Sequence, residues 1–134
     1  MKNGFDIDEF LVSGLIEMYM KCGDVRNAEH VFKSIVNKEL LRRNTVIWNV
    51  MITGYASNGG LSKALELFVE MLELGSTPES STMVAILALC SQLSDLSIGK
   101  QIHRLILAFG LKNDTIIETA LIEMYFKFVI LKLV

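Results

Sequence analysis

Proline occurs once in these 134 residues, at Pro78, cysteine twice and tryptophan once. With so little proline and 51% hydrophobic side chains, the chain reads as one compact unit of a single domain's length. Cys22 and Cys90 stand 68 positions apart, which makes neither a disulfide framework nor a metal knuckle. Neither sign of charge predominates: 13 Lys and Arg against 15 Asp and Glu leave a net charge of −2 and a pI near 5.7. That balance argues against a nucleic-acid binder driven mainly by electrostatics. Charged residues make up 21%, too few beside so many apolar ones for a disordered acidic tail. The mean hydropathy of +0.43 raises the question of a membrane span, but the longest uninterrupted apolar run, 83–90, has eight residues. A span needs about 20. The first nine residues carry three acids, opposite to a transit peptide, and no secretory apolar core follows.

What the chain does have is internal repetition, which decides the architecture. Leu15-Ile16-Glu17-Met18-Tyr19 recurs identically at Leu121-Ile122-Glu123-Met124-Tyr125, an offset of 106 shared by Lys21 and Lys127, Gly4 and Gly110, and Asp8 and Asp114. The offset divides as 36, 35 and 35: Met51-Ile52-Thr53-Gly54-Tyr55 lies 36 beyond the first copy, and Ile86 to Cys90 lies 35 further on. Ala28 and Phe32 map onto Ala64 and Phe68 by 36, and Leu74-Gly75 maps onto Phe109-Gly110 by 35. The units run 9–44, 45–79, 80–114 and 115–134, the last incomplete.

Each unit reads as two helices. In the second, Val46, Val50, Met51 and Tyr55 recur at helical spacing, and a Ser-Asn-Gly-Gly break at 57–60 follows. Leu61, Leu65, Phe68 and Leu72 then form an amphipathic stripe, with Glu66, Glu70 and Glu73 on other faces. Gly75 closes that helix and Pro78 marks the boundary before the next. In the first unit, 21–24 is the turn and Asp24 is placed to cap the second helix. One hairpin cannot bury its own apolar face, so neighbours must stack into a shared core. The expected architecture is all-α, a right-handed α-solenoid of stacked antiparallel hairpins.

These residues resemble the pentatricopeptide repeat family, in its plant class that alternates P-, L- and S-like motifs. Thr45 to Tyr55, Ala64 to Met71 and Gly75-Ser-Thr-Pro-Glu79 are similar to a P-like motif; 80–114, with Ala88-Leu-Cys90 and Gly99-Lys-Gln-Ile-His103, to an L-like motif. Leu15 to Gly23 followed by Ala28-Glu-His-Val-Phe32 is similar to an S-like motif, and 115–134 to a truncated one. The resemblance covers residues 4 to about 127. The tetratricopeptide family shares the hairpin plan but has a period of about 34. The 36-residue first unit is long for an S-like motif, and the surplus at 36–43 is expected to extend its second helix. Lys127 is not followed by the Cys-Gly turn that follows Lys21, so the chain reads as a fragment of a longer array.

The resemblance implies recognition of single-stranded RNA, one base per repeat, read by two or three side chains. Carried over motif by motif, Ser13 and Asn44 are readers in the first unit with Phe10 packing on the base, and Asn49 and Glu79 are readers in the second with Val46 packing. The first pair implies adenine; the second implies a pyrimidine, with U against C open. Val84 and Asp114 in the third unit, and Ile116 and Thr119 in the fourth, are weaker candidates. By the same resemblance the protein is an RNA-processing factor of a mitochondrion or chloroplast, such as one positioning RNA for C-to-U editing among protein partners. The alternative is a protein-interaction scaffold, or a truncated remnant without independent function.

Nothing in the residues points to catalysis, a cofactor, a metal or a small-molecule substrate. Cys22 and Cys90 end first helices and read as buried filler. His30 and His103 have no repeating nucleophile or acid beside them. The Glu66, Glu70 and Glu73 row reads as a solvated face, and Gly59-Gly60 as a turn with no phosphate-loop pattern around it. Ser13 and Asn49 stand at helix starts, where polar residues are also ordinary caps.

Overall fold

A computed structural model describes residues 9–35, 39, 41, 44–111 and 114–133. Its described residues form α1 (Glu9–Lys21), α2 (Val25–Lys33), α3 (Thr45–Ser57), α4 (Leu61–Glu73), α5 (Ser80–Gln92), α6 (Leu96–Ala108) and α7 (Thr115–Leu133), with no strand among them. α1 pairs with α2, α3 with α4 and α5 with α6. The first helices α1, α3, α5 and α7 then stack on one another in chain order, and each second helix also touches the first helix that follows it. The chain is an all-α solenoid.

This layering explains which residues each helix buries. A first helix has neighbours on several sides, and α3 accordingly buries Ile47, Trp48, Met51, Ile52 and Tyr55 around most of its circumference. A second helix has a wet face, so α4 buries only Ala64, Phe68 and Met71 and leaves Glu66, Glu70 and Glu73 exposed. Trp48 joins layers: its ring meets Phe32 of α2 edge-on at 5.4 Å, and its indole N–H donates to the Leu41 carbonyl at 2.7 Å. Each such large side chain, fully buried, contributes about 2–3 kcal/mol against exposure.

The turns use one device. After α1, α3 and α5 the chain reverses through a left-handed residue, and the next amide reaches back to close the helix: Asp24 N–H to Tyr19 O at 2.8 Å, Gly60 to Tyr55 at 2.8 Å, Asp95 to Cys90 at 2.9 Å. Gly23 and Gly59 take the left-handed place in the first two turns; Ser94, at φ 56°, takes it in the third. Asp24 and Asp95 then cap α2 and α6 by accepting from the backbone of Asn27 and Ile98.

Two expectations are corrected. Cys90 is buried, and burial pushes its thiol up to about 11, but Cys22 falls in the turn and is exposed. α2 does not run on: it ends at Lys33 with Ser34 as its cap, and of 36–43 the described Glu39 and Leu41 are helical while the rest lies outside the described residues. On α7, Met124 is fully buried against Gly99, where a Cβ would stand 2.3 Å from its sulfur. Among the described residues no helix is long and apolar enough to cross a membrane.

Candidate functional site

Stacking the first helices sets their first turns side by side, and side-chain hydrogen bonds along that row bind it together. Thr45 Oγ1 donates to Glu79 Oε1 at 2.7 Å, and Ser80 Oγ to Asp114 Oδ2 at 2.5 Å. Both bonds join the first residue of a first helix to the residue preceding the next one, 34 positions on. A second kind of link joins adjacent first helices: Ser81 and Thr82 of α5 donate to Asn49 Oδ1 of α3, at 3.1 and 2.5 Å.

The sequence-derived candidates fall on this row in equivalent places. Phe10, Val46 and Ile116 are second residues of α1, α3 and α7, and they are 89%, 50% and 64% exposed. Ser13, Asn49, Val84 and Thr119 are the fifth residues of their helices. Ser13 Oγ donates to the Phe10 carbonyl at 3.3 Å; Asn49 and Val84 are half-buried and Thr119 is exposed. Glu79, Val84 and Ile116 come together, with Ser80, Ser81 and Ala85, around an open cleft of about 560 Å³.

The residues preceding the first helices differ from one another. Asn44 is buried, its side chain caps nothing, and its Nδ2 has no partner among the described residues. Glu79 is exposed and turned to Thr45. Asp114 caps α7, its Oδ1 accepting from Ile116 and Ile117 at 2.9 and 3.3 Å. The Ser80 hydroxyl, and then these two amides, hold its carboxyl below the usual carboxylate range. Reading the sequence did not single out Thr45, Ser80, Ser81 or Thr82. A signal was present for the first two, since Thr45, Ser80 and Thr115 put a hydroxyl at one place at intervals of 35.

Away from the row, Glu29 Oε2 accepts from Tyr55 OH at 2.6 Å and from Lys63 Nζ at 3.0 Å, beside a cavity of about 290 Å³. The phenol and then the ammonium hold Glu29 below the ordinary carboxylate value, while burial and then Glu29 push the Tyr55 phenol up. The carboxylate oxygen is answered by two donors across three helices, an arrangement that tethers units. A similar tether, His103 Nδ1 to Tyr125 OH at 2.9 Å, joins α6 to α7. Among the described residues no cluster of His, Cys, Asp and Glu is placed to hold a metal ion.

A profile described as the PPR repeat family matches residues 43–91, and one described as PPR repeat matches residues 10–40. The chain belongs to the PPR repeat family. Its PPR relatives include two pentatricopeptide repeat-containing proteins of Arabidopsis thaliana. At2g03380, mitochondrial, is 35% identical over 127 residues, which are 95% of this chain and 18% of the relative. At1g15510, chloroplastic, is 34% identical over 125 residues, 93% of this chain and 14% of the relative. Among solved structures, maize PPR10 in complex with an 18-nt psaJ RNA element aligns with a TM-score of 0.75 and 23% identity, over 91% of this chain and 18% of that one. The chain thus spans less than a fifth of the length of these PPR proteins, and it shares the PPR fold.

Proposed function

We propose that this chain is a stretch of PPR array that binds single-stranded RNA along the row of first turns, without catalysis. The units are 9–44 (S-like), 45–79 (P-like), 80–114 (L-like) and 115–134 (S-like). The observation that carries the reading is the register of the row. Exposed apolar side chains, Phe10, Val46 and Ile116, recur at the second place, where bases stack on apolar faces, and polar groups recur at the fifth place and before the next helix. Ser13 with Asn44 addresses adenine, and Asn49 with Glu79 addresses a pyrimidine. The third unit contributes little, since Val84 has no polar group and Asp114 already spends both oxygens on Ser80 and on the cap of α7. The maize protein similar in fold is solved on an RNA element, and similar plant proteins carry mitochondrial and chloroplastic names; both support an organellar RNA-processing role, with C-to-U editing among protein partners as its specific form.

Affinity is expected to be low. The first turns of α1, α3, α5 and α7 hold no Lys or Arg, so phosphate attraction is slight. Two base contacts of about 1–3 kcal/mol each fall short of the roughly 8 kcal/mol that micromolar binding requires. Fluorescence anisotropy with single-stranded RNA tests this: weak binding should appear, and log K should fall with log salt by about 0.7 per neutralised phosphate. Binding without base preference would sink the reading and favour the protein-interaction scaffold.

A further inference from the structure

Asn49 is held from the next repeat. Its side-chain amide meets Thr82 Oγ1 at 2.5 Å and Ser81 Oγ at 3.1 Å, both on the first turn of α5. An O–H···O bond spans about 2.5–3.0 Å and an N–H···O bond about 2.7–3.2 Å, so the shorter contact identifies the amide oxygen as the atom facing Thr82. That oxygen has two lone pairs, and each hydroxyl has one proton to give. The two donors therefore saturate it. Turning the amide over would require both hydroxyls to accept and to place their protons elsewhere, and Thr82 is fully buried. The Asn49 Nδ2 group, with two protons, makes no hydrogen bond among the described residues.

A freely turning amide offers a base either a donor or an acceptor and so discriminates poorly; a locked one offers a single polarity. We propose that Thr82 and Ser81 are positioning residues that lock Asn49 as a donor, so that the second unit favours a base that turns an acceptor to that place, such as O2 or N3 of cytosine or O4 of uracil, over one that turns a donor there, such as the N6 amine of adenine. The proposal rests on the reading of Asn49 as a base contact. It makes the base preference of one repeat depend on hydroxyls carried by its successor, at residues that touch no base edge themselves.

The test uses the full chain with short RNAs that keep adenine at the place facing the first unit and carry uracil, cytosine or adenine at the place facing the second, and reads the ratio of the strongest to the weakest affinity. Asn49→Ala should reduce that ratio by roughly tenfold, the scale of one good base contact. Thr82→Val, nearly isosteric, should reduce it several-fold, more so combined with Ser81→Ala, while Thr82→Ser restores it. If Asn49→Ala changes the ratio and the hydroxyl variants do not, the lock is overturned and Asn49 stands as a reader. If Asn49→Ala leaves the ratio alone, the reading of Asn49 falls, and the lock with it. A measurement without variants guards against misfolding: strong nuclear Overhauser contacts from the Asn49 Nδ2 protons to the β-protons of Thr82 and Ser81 would put the amine on α5 and overturn the lock. Weak contacts there, with the Nδ2 resonance shifting on titration of a pyrimidine oligonucleotide, are the expected result.

Discussion

Met20 lies across Gly54 so closely that a Cβ on the glycine would stand 2.3 Å from Met20 Cγ and 2.9 Å from its Cβ. The contact is where α3 approaches α1, and Met20 is 4% exposed. Gly54→Ala gains about 1 kcal/mol of helix propensity but overpacks at a cost of about 1–3 kcal/mol, and the second effect should win. Denaturant titration followed by circular dichroism should show a net loss, and the double variant with Met20→Ala should lose less than the sum of the two single variants. A stabilised single variant would show that the two helices separate easily.

Ser94 sits in a left-handed conformation, φ 56°, at the place where the other two hairpins have Gly23 and Gly59. A side chain there costs about 1–2 kcal/mol, offset by the greater freedom of glycine in the unfolded chain, about 0.4–1 kcal/mol. Ser94→Gly is expected to raise the melting temperature slightly. An unchanged or lower melting temperature would mean that the serine is not strained.

Acid should weaken the fold partly through Glu29. Its folded pKa is depressed, chiefly by the Tyr55 hydroxyl and then by Lys63, so its contribution is fully present above the ordinary carboxylate range and is lost as pH falls through the folded value. Tyr55→Phe removes the larger cause. Urea midpoints followed from about pH 7 to about pH 3 should fall more steeply for the wild type than for the variant. Parallel curves would contradict the assignment.

Repeat equivalence identifies a face on α7 that apolar residues occupy without cover. Ile16 and Met20, 0% and 4% exposed, are buried in the core formed with the helix stacked on α1; their counterparts 106 residues on, Ile122 and Phe126, are 67% and 62% exposed. Apolar surface of this kind drives association. Sedimentation velocity should show concentration-dependent self-association of this chain, relieved by Ile122→Glu with Phe126→Lys at unchanged helicity. A monodisperse wild-type chain at high concentration is the contrary outcome.

The sequence by itself determined the helices, their pairing and the turns at 21–24 and 57–60. Apolar spacing, caps and breakers act within a few residues of one another and are written in linear order. The internal offsets carried this further, to a stacked array, because a hairpin with one bare apolar face must cover it with a copy. Only the tertiary structure decided the pairings across units. That Glu29 answers Tyr55, that Met124 settles on Gly99, and that Cys90 is buried while Cys22 is not depend on how far each hairpin is rotated against the next. The candidate site divides in the same way. Places for Ser13, Asn49 and Glu79 were legible from the repeat, whereas the burial of Asn44 and the hold of Ser81 and Thr82 on Asn49 come from contacts between helices that periodicity does not encode.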